Sequence, residues 1–79
     1  MFTTQLRKGA ATDLTEAEVE IYLDDENLRF LIIRLQALRK KSKDHMHFMT
    51  ESWGEGSLSE TLVGEDVVLI NHLKIAKMD

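Results

Sequence analysis

The sequence predicts an α+β two-layer sandwich, in which one main helix packs on a mostly antiparallel sheet of three to five strands. Three observations carry that prediction. Acidic and aliphatic residues alternate over residues 18–23, apolar residues recur at spacings of three and four between residues 25 and 40, and period two returns at 45–50 ahead of an apolar run at 67–76.

At the N-terminus, Phe2, Thr4 and Leu6 share one parity and permit a strand. With no proline in the chain, breaks are read from glycine and small polar residues, and the first lies between Lys8 and Thr15, around Gly9 and Asp13. In Glu18-Val19-Glu20-Ile21-Tyr22-Leu23 the alternation predicts a strand with the acids on a wet face and the aliphatics on a buried one. Asp24 and Asp25 then supply an N-cap, Glu26 adds negative charge at the positive end of the helix dipole, and Arg39, Lys40 and Lys41 suit its negative end. Leu28, Leu31, Ile32, Leu35 and Leu38 form the stripe expected to face the core of a helix running from about 25 to 40. Phe30, Ile33 and Ala37 fall on the opposite side, a second apolar patch expected to bury against a second copy in a homodimer.

A polar break at 40–44 leads to His45-Met46-His47-Phe48-Met49-Thr50, a strand with Met46 and Phe48 on one face and the two histidines on the other. Trp53-Gly54-Glu55-Gly56-Ser57 is the next break, 57–63 permits a short strand, and Gly64-Glu65-Asp66 is a weaker break. Residues 67–76 are apolar on both parities, as a central strand covered on both sides would be, although the alternation is imperfect.

Length and composition set the frame. Seventy-nine residues make one domain, 1–79, and 43% hydrophobic with 30% charged residues is the balance of a chain that folds. Its core is thin, and without cysteine there are no disulfides and no thiolate metal sites to reinforce it, which leaves oligomerisation. A net charge of −4 argues against nucleic acid as a partner. No apolar run approaches a membrane span, the first residues lack the apolar core of a signal peptide, and a cytoplasmic setting is expected.

Among chemistry-bearing residues, His45 and His47 stand on one side of a strand at a spacing that metal sites use, and His72 is a possible third ligand. A structural or interfacial role is the commoner fate of such a pair, and no metal or other cofactor is expected. Ser57 and Ser59 lack the strand–nucleophile–helix context of a hydrolase elbow, so no enzyme is expected. From Asp44 to Leu73 there is no Lys or Arg, while Asp44, Glu51, Glu55, Glu60, Glu65 and Asp66 provide six acids around a lone tryptophan, Trp53. Trp53 either plugs the edge of the core or anchors a contact, and the acids around it would attract a basic partner.

The segment from Asp44 to Gly54, continuing through Leu58-Ser59-Glu60, resembles the central signature of immunity protein family 32 of bacterial polymorphic toxin systems. There an Asp/Thr-His-x-His-Leu-Met-Thr strand runs into Pro-Ser-Trp-Gly-Gly and then Leu-Ser-Glu. Leu28-Arg29-Phe30-Leu31 and Ile70-Asn71-His72-Leu73-Lys74-Ile75 resemble the family's helix start and closing strand. Phe48, Glu51 and Glu55 stand where the pattern has Leu, Pro and Gly. The resemblance implies a non-catalytic protein that binds a cognate toxin domain, basic and nuclease-like in the simplest case. It also implies contact through His45, His47, Glu51, Trp53, Glu55 and Glu60. The alternative reading is a homo-oligomeric structural or small-ligand-binding domain.

Overall fold

In the computed structural model, which describes residues 1–8 and 16–79, the N-terminal segment is the centre of the architecture. Strand β1 (Phe2–Arg7) pairs antiparallel with β2 (Glu18–Leu23) on one edge and with β4 (Val67–Leu69) on the other. Its first four residues are buried, Thr3 and Gln5 on one face and Phe2 and Thr4 on the other. The first predicted break, around Gly9 and Asp13, lies outside the described residues.

Helix α1 (Asp25–Arg39) follows β2 after a single residue, Asp24, whose carboxylate accepts the backbone N–H of Asn27 at 2.9 Å and caps the first turn. Strand β3 (His45–Met49) comes next and pairs antiparallel with β5 (His72–Ala76), forming a second, two-stranded sheet. One helix on antiparallel strands is the α+β arrangement expected, with strand orders β2-β1-β4 and β3-β5.

The core lies where the two sheets meet the helix. Phe2 from β1, Met46 and Phe48 from β3, Leu38 from α1 and Leu58 from the following loop are buried together, with Leu23, Phe30, Leu31, Leu73 and Ile75 packed around them. Phe48 is its hub, with the Phe2 ring 5.2 Å away and the Phe30 ring edge-on at 5.9 Å.

Four expectations are corrected. First, the helix is rotated about its axis relative to the predicted stripe. Phe30 packs into the core while Leu28, Ile32 and Leu35 are exposed; of the predicted second patch only Ile33, 64% exposed, and Ala37 face outward. The cause is aromatic packing with Arg34, whose guanidinium lies over the Phe30 and Phe48 rings at 5.7 and 5.3 Å, so that a cation sits at the middle of the buried face.

Second, the two faces of β2 are not buried as expected: its acidic face is partly covered, and its aliphatic face, which is the face of Phe2, is left open at the Val19 end. Glu20 is drawn inward by Arg7 at 3.0 Å and by the amide of the fully buried Gln5 at 2.8 Å, whereas Val19, 60% exposed, and Ile21 are left uncovered. Segment 61–65 covers the Glu20 side: the Gln5 amide bonds both the C=O and the N–H of Val63, Thr3 donates to the Thr61 carbonyl, and Arg7 donates to that of Glu65. Of the aliphatic side, Leu23 reaches the core.

Third, residues 67–76 are two strands. Leu6 opposes Val68, so even-numbered residues of β4 share the face of Phe2. In β5 the odd-numbered Leu73 and Ile75 face the core. The chain changes parity across Ile70 and Asn71, which accounts for the imperfect alternation. Fourth, 57–63 forms no strand. It is a loop with one parallel bridge, Thr50 to Leu58, and a bond from Ser59 N–H to the Phe2 carbonyl.

Candidate functional site

The site predicted from sequence falls into two parts on one strand-and-turn unit. The first is the outer face of β3 and β5. Because Met46 and Phe48 point into the core, His45 and His47 must point away from it. The register sets His47 opposite Lys74 and Met49 opposite His72, so His72 lies diagonal to His47, and the two rings meet with Nδ1 of His47 2.6 Å from Nε2 of His72. The His45 ring lies edge-on to His47 with centroids 4.7 Å apart.

Such a short N···N contact is a hydrogen bond between rings of which at least one nitrogen is unprotonated. Desolvation, together with the positive neighbours His45, His72 and Lys74, lowers the His47 pKa and favours that neutral state. Among the described residues no three His, Cys, Asp or Glu side chains converge on a position that could hold a metal ion. His45 also borders a cleft of about 100 Å³ between α1 and β3, lined by Arg34, Ala37, Leu38 and Met46 among others, a third of the smallest volume common in small-molecule sites.

The second part is the turn after β3, which is tied down at every step. Thr50 gives its N–H to the Asn71 carbonyl at 3.0 Å and its hydroxyl to the Asn71 side chain at 2.7 Å, while its own carbonyl accepts from Trp53 and Gly54. The Glu55 carboxylate reaches back to the Met49 N–H at 2.6 Å and accepts from the N–H and hydroxyl of Ser57. Burial pushes the Glu55 carboxyl up, but these bonds, led by that from the Ser57 hydroxyl, outweigh it and hold the group below the usual carboxylate range. Glu60 accepts from the N–H and hydroxyl of Ser52. Gly56 has φ +86°, a conformation that only glycine adopts without strain, and it lets the chain return to Leu58 in the core.

On this frame Trp53 stands 63% exposed. It does not plug the core edge. Glu51 is exposed beside it, whereas Glu55 and Glu60 brace the turn through the bonds they accept. Ser57 is bonded to Glu55, and the Ser59 hydroxyl accepts from the Thr61 N–H at 3.1 Å. What the arrangement can do chemically is present an exposed indole on a braced backbone within a field of carboxylates, a few residues along the chain from a face of imidazoles.

Asn71 and Thr50, which hold the turn, were not singled out from sequence. The signal available was the parity change near Asn71, which marks a residue freed from the ladder. No protein-family model matches the chain, and no curated protein or solved structure does.

Proposed function

We propose that this chain is a non-catalytic immunity protein that captures and blocks a basic toxin domain, with Trp53 as the anchor of the contact. The observation that carries the reading is the exposure of Trp53 on a turn braced by hydrogen bonds and surrounded by acids. A tryptophan in water is costly to maintain, and one held in a fixed orientation binds with little loss of side-chain freedom. Glu51, Glu55 and Glu60 raise the encounter rate with a cationic surface, and the lack of Lys and Arg from Asp44 to Leu73 removes repulsion. The resemblance of residues 44–60 to the immunity-protein signature supports the same reading. A basic nuclease-like cleft would receive this surface as it receives the charge of its substrate.

The experiment is co-expression with basic, nuclease-like toxin domains of polymorphic toxin systems. The parent chain should protect the cells. Trp53→Ala should lose protection and weaken binding by about 2 kcal/mol or more, chiefly through faster dissociation, at an unchanged melting temperature. Glu51→Gln should slow association at low salt and much less at high salt. Full protection by a folded Trp53→Ala variant would remove the anchor and the reading with it.

A further inference from the structure

A second surface of the molecule carries large apolar side chains with nothing over them, and it lies apart from the Trp53 turn. We propose that a second copy of this chain docks there, closing a twofold homodimer in which each protomer's helix flank covers the other's bare sheet face.

The two halves of the surface are Val19, Ile21 and Val68 on the sheet and Leu28, Ile32 and Leu35 on the helix, all six exposed. Register puts the first three on the same face as Phe2, since Phe2 opposes Leu23, Thr4 opposes Ile21, and Leu6 opposes both Val19 and Val68. Helix α1 covers that face around Phe2 and Leu23 and leaves the far end of β2 and β4 open. On the helix, Leu28, Ile32 and Leu35 form a single stripe about 100° around the axis from the residues that reach the core. Asp24 alone joins β2 to α1, so the bare sheet face and the bare stripe belong to consecutive elements.

A sheet face lacking a helix and a helix stripe lacking a sheet are complementary. A twofold axis supplies each with the other, which is the self-matching property of an isologous interface. None of the six residues carries a charge or a hydrogen-bonding group, and homodimer interfaces are the most apolar class.

The area agrees. The chain exposes 5691 Å², against about 4,900 Å² for a compact monomer of its mass. The excess of about 800 Å² is what one partner contributes to an interface of standard size. Its radius of gyration is 13.8 Å, where a compact domain of this length has about 12 Å, so the protomer has the open shape of a half-assembly.

The experiment is sedimentation equilibrium with light scattering on the full chain at tens of micromolar. The expected mass is twice 9.1 kDa. Ile32→Glu should weaken association at least a hundredfold and give the monomer mass with an unchanged far-ultraviolet spectrum. Ile33→Glu, on the opposite flank of α1, should remain a dimer. Since the chain has no cysteine of its own, an oxidised mixture of Ile21→Cys and Ile32→Cys chains should yield a disulfide joining one of each, a readout that holds even where Ile32→Glu fails to fold. A parent chain that is monomeric or larger than a dimer overturns the proposal. So does a dimer that Ile33→Glu splits and Ile32→Glu does not, or a mixture in which that disulfide fails to form.

Discussion

The Trp53 turn and the Val19–Ile32 surface both expose apolar side chains, and by exposure alone they look alike: Trp53 is 63% exposed and Ile32 45%. Their surroundings separate them. Around Trp53 the backbone is tied to Asn71 and Glu55, and the neighbouring groups are carboxylates and hydroxyls. One turn away from Ile32 on α1 stand Leu28 and Leu35 on one side and Arg29 and Gln36 on the other, so an aliphatic stripe runs beside a polar one. An indole in a polar frame keeps an N–H to bond and an electrostatic field to guide it, so it suits a partner that comes and goes. An aliphatic stripe offers area alone, and area without polar contacts suits a permanent neighbour of the same composition. What surrounds an exposed side chain is therefore a better guide to its partner than how far it is exposed.

The largest expected effect abolishes the contrast. Phe48 is fully buried, touches Phe2 and Phe30, lies under Arg34, and sits in β3 between the turn and the helix. Phe48→Ala should cost about 3–5 kcal/mol, a large share of the stability of so small a domain, and both surfaces should fail together in denaturant melts and in mass measurements. A smaller change sharpens the contrast. Thr50→Val removes the hydroxyl that bonds Asn71 and leaves that amide oxygen short of a partner, at about 1–3 kcal/mol. The turn should loosen, seen as faster amide exchange at Trp53 and Gly54, while the dimer mass is unchanged. A Thr50→Val chain that dissociates would show that the two surfaces are coupled.

Much of the fold was legible because its signals are local. Alternation marked β2 and β3, and Asp24 ahead of an apolar repeat marked the start of α1. Which face each element buries was less legible, because that depends on what covers it. Val19 and Ile21 read as core because they share the face of Phe2, but α1 covers only the Leu23 end of that face. The helix stripe is hidden in the sequence because Arg34 counts as polar in any periodicity, although its guanidinium lies over two aromatic rings. For the site, sequence left Trp53 open between plug and anchor, since both occur in acidic, glycine-containing loops. Leu58 is the residue that fills the core beneath this loop, and the indole is thereby left outside.

The smallest expected effect concerns the histidines, which belong to the same strand as the turn but titrate in their own window. The His47 pKa is lowered from the ordinary 6.5, first by desolvation and then by His45, His72 and Lys74. In the unfolded chain the ring recovers its ordinary value, so between the folded value and about 6.5 the unfolded state binds more protons. Stability from this group is thus complete above about pH 6.5 and is lost as pH falls through the folded value. Glu20, held at about 2 chiefly by Arg7 and then by Gln5, and Asp24, held at about 2 chiefly by the N-terminal ammonium, lose their contributions from about pH 5 downward. The melting temperature of the parent chain should therefore decline between about pH 7 and pH 5, and that of His47→Gln should stay level over the same interval. Parallel curves for the two proteins would show that the histidine face contributes no pH dependence.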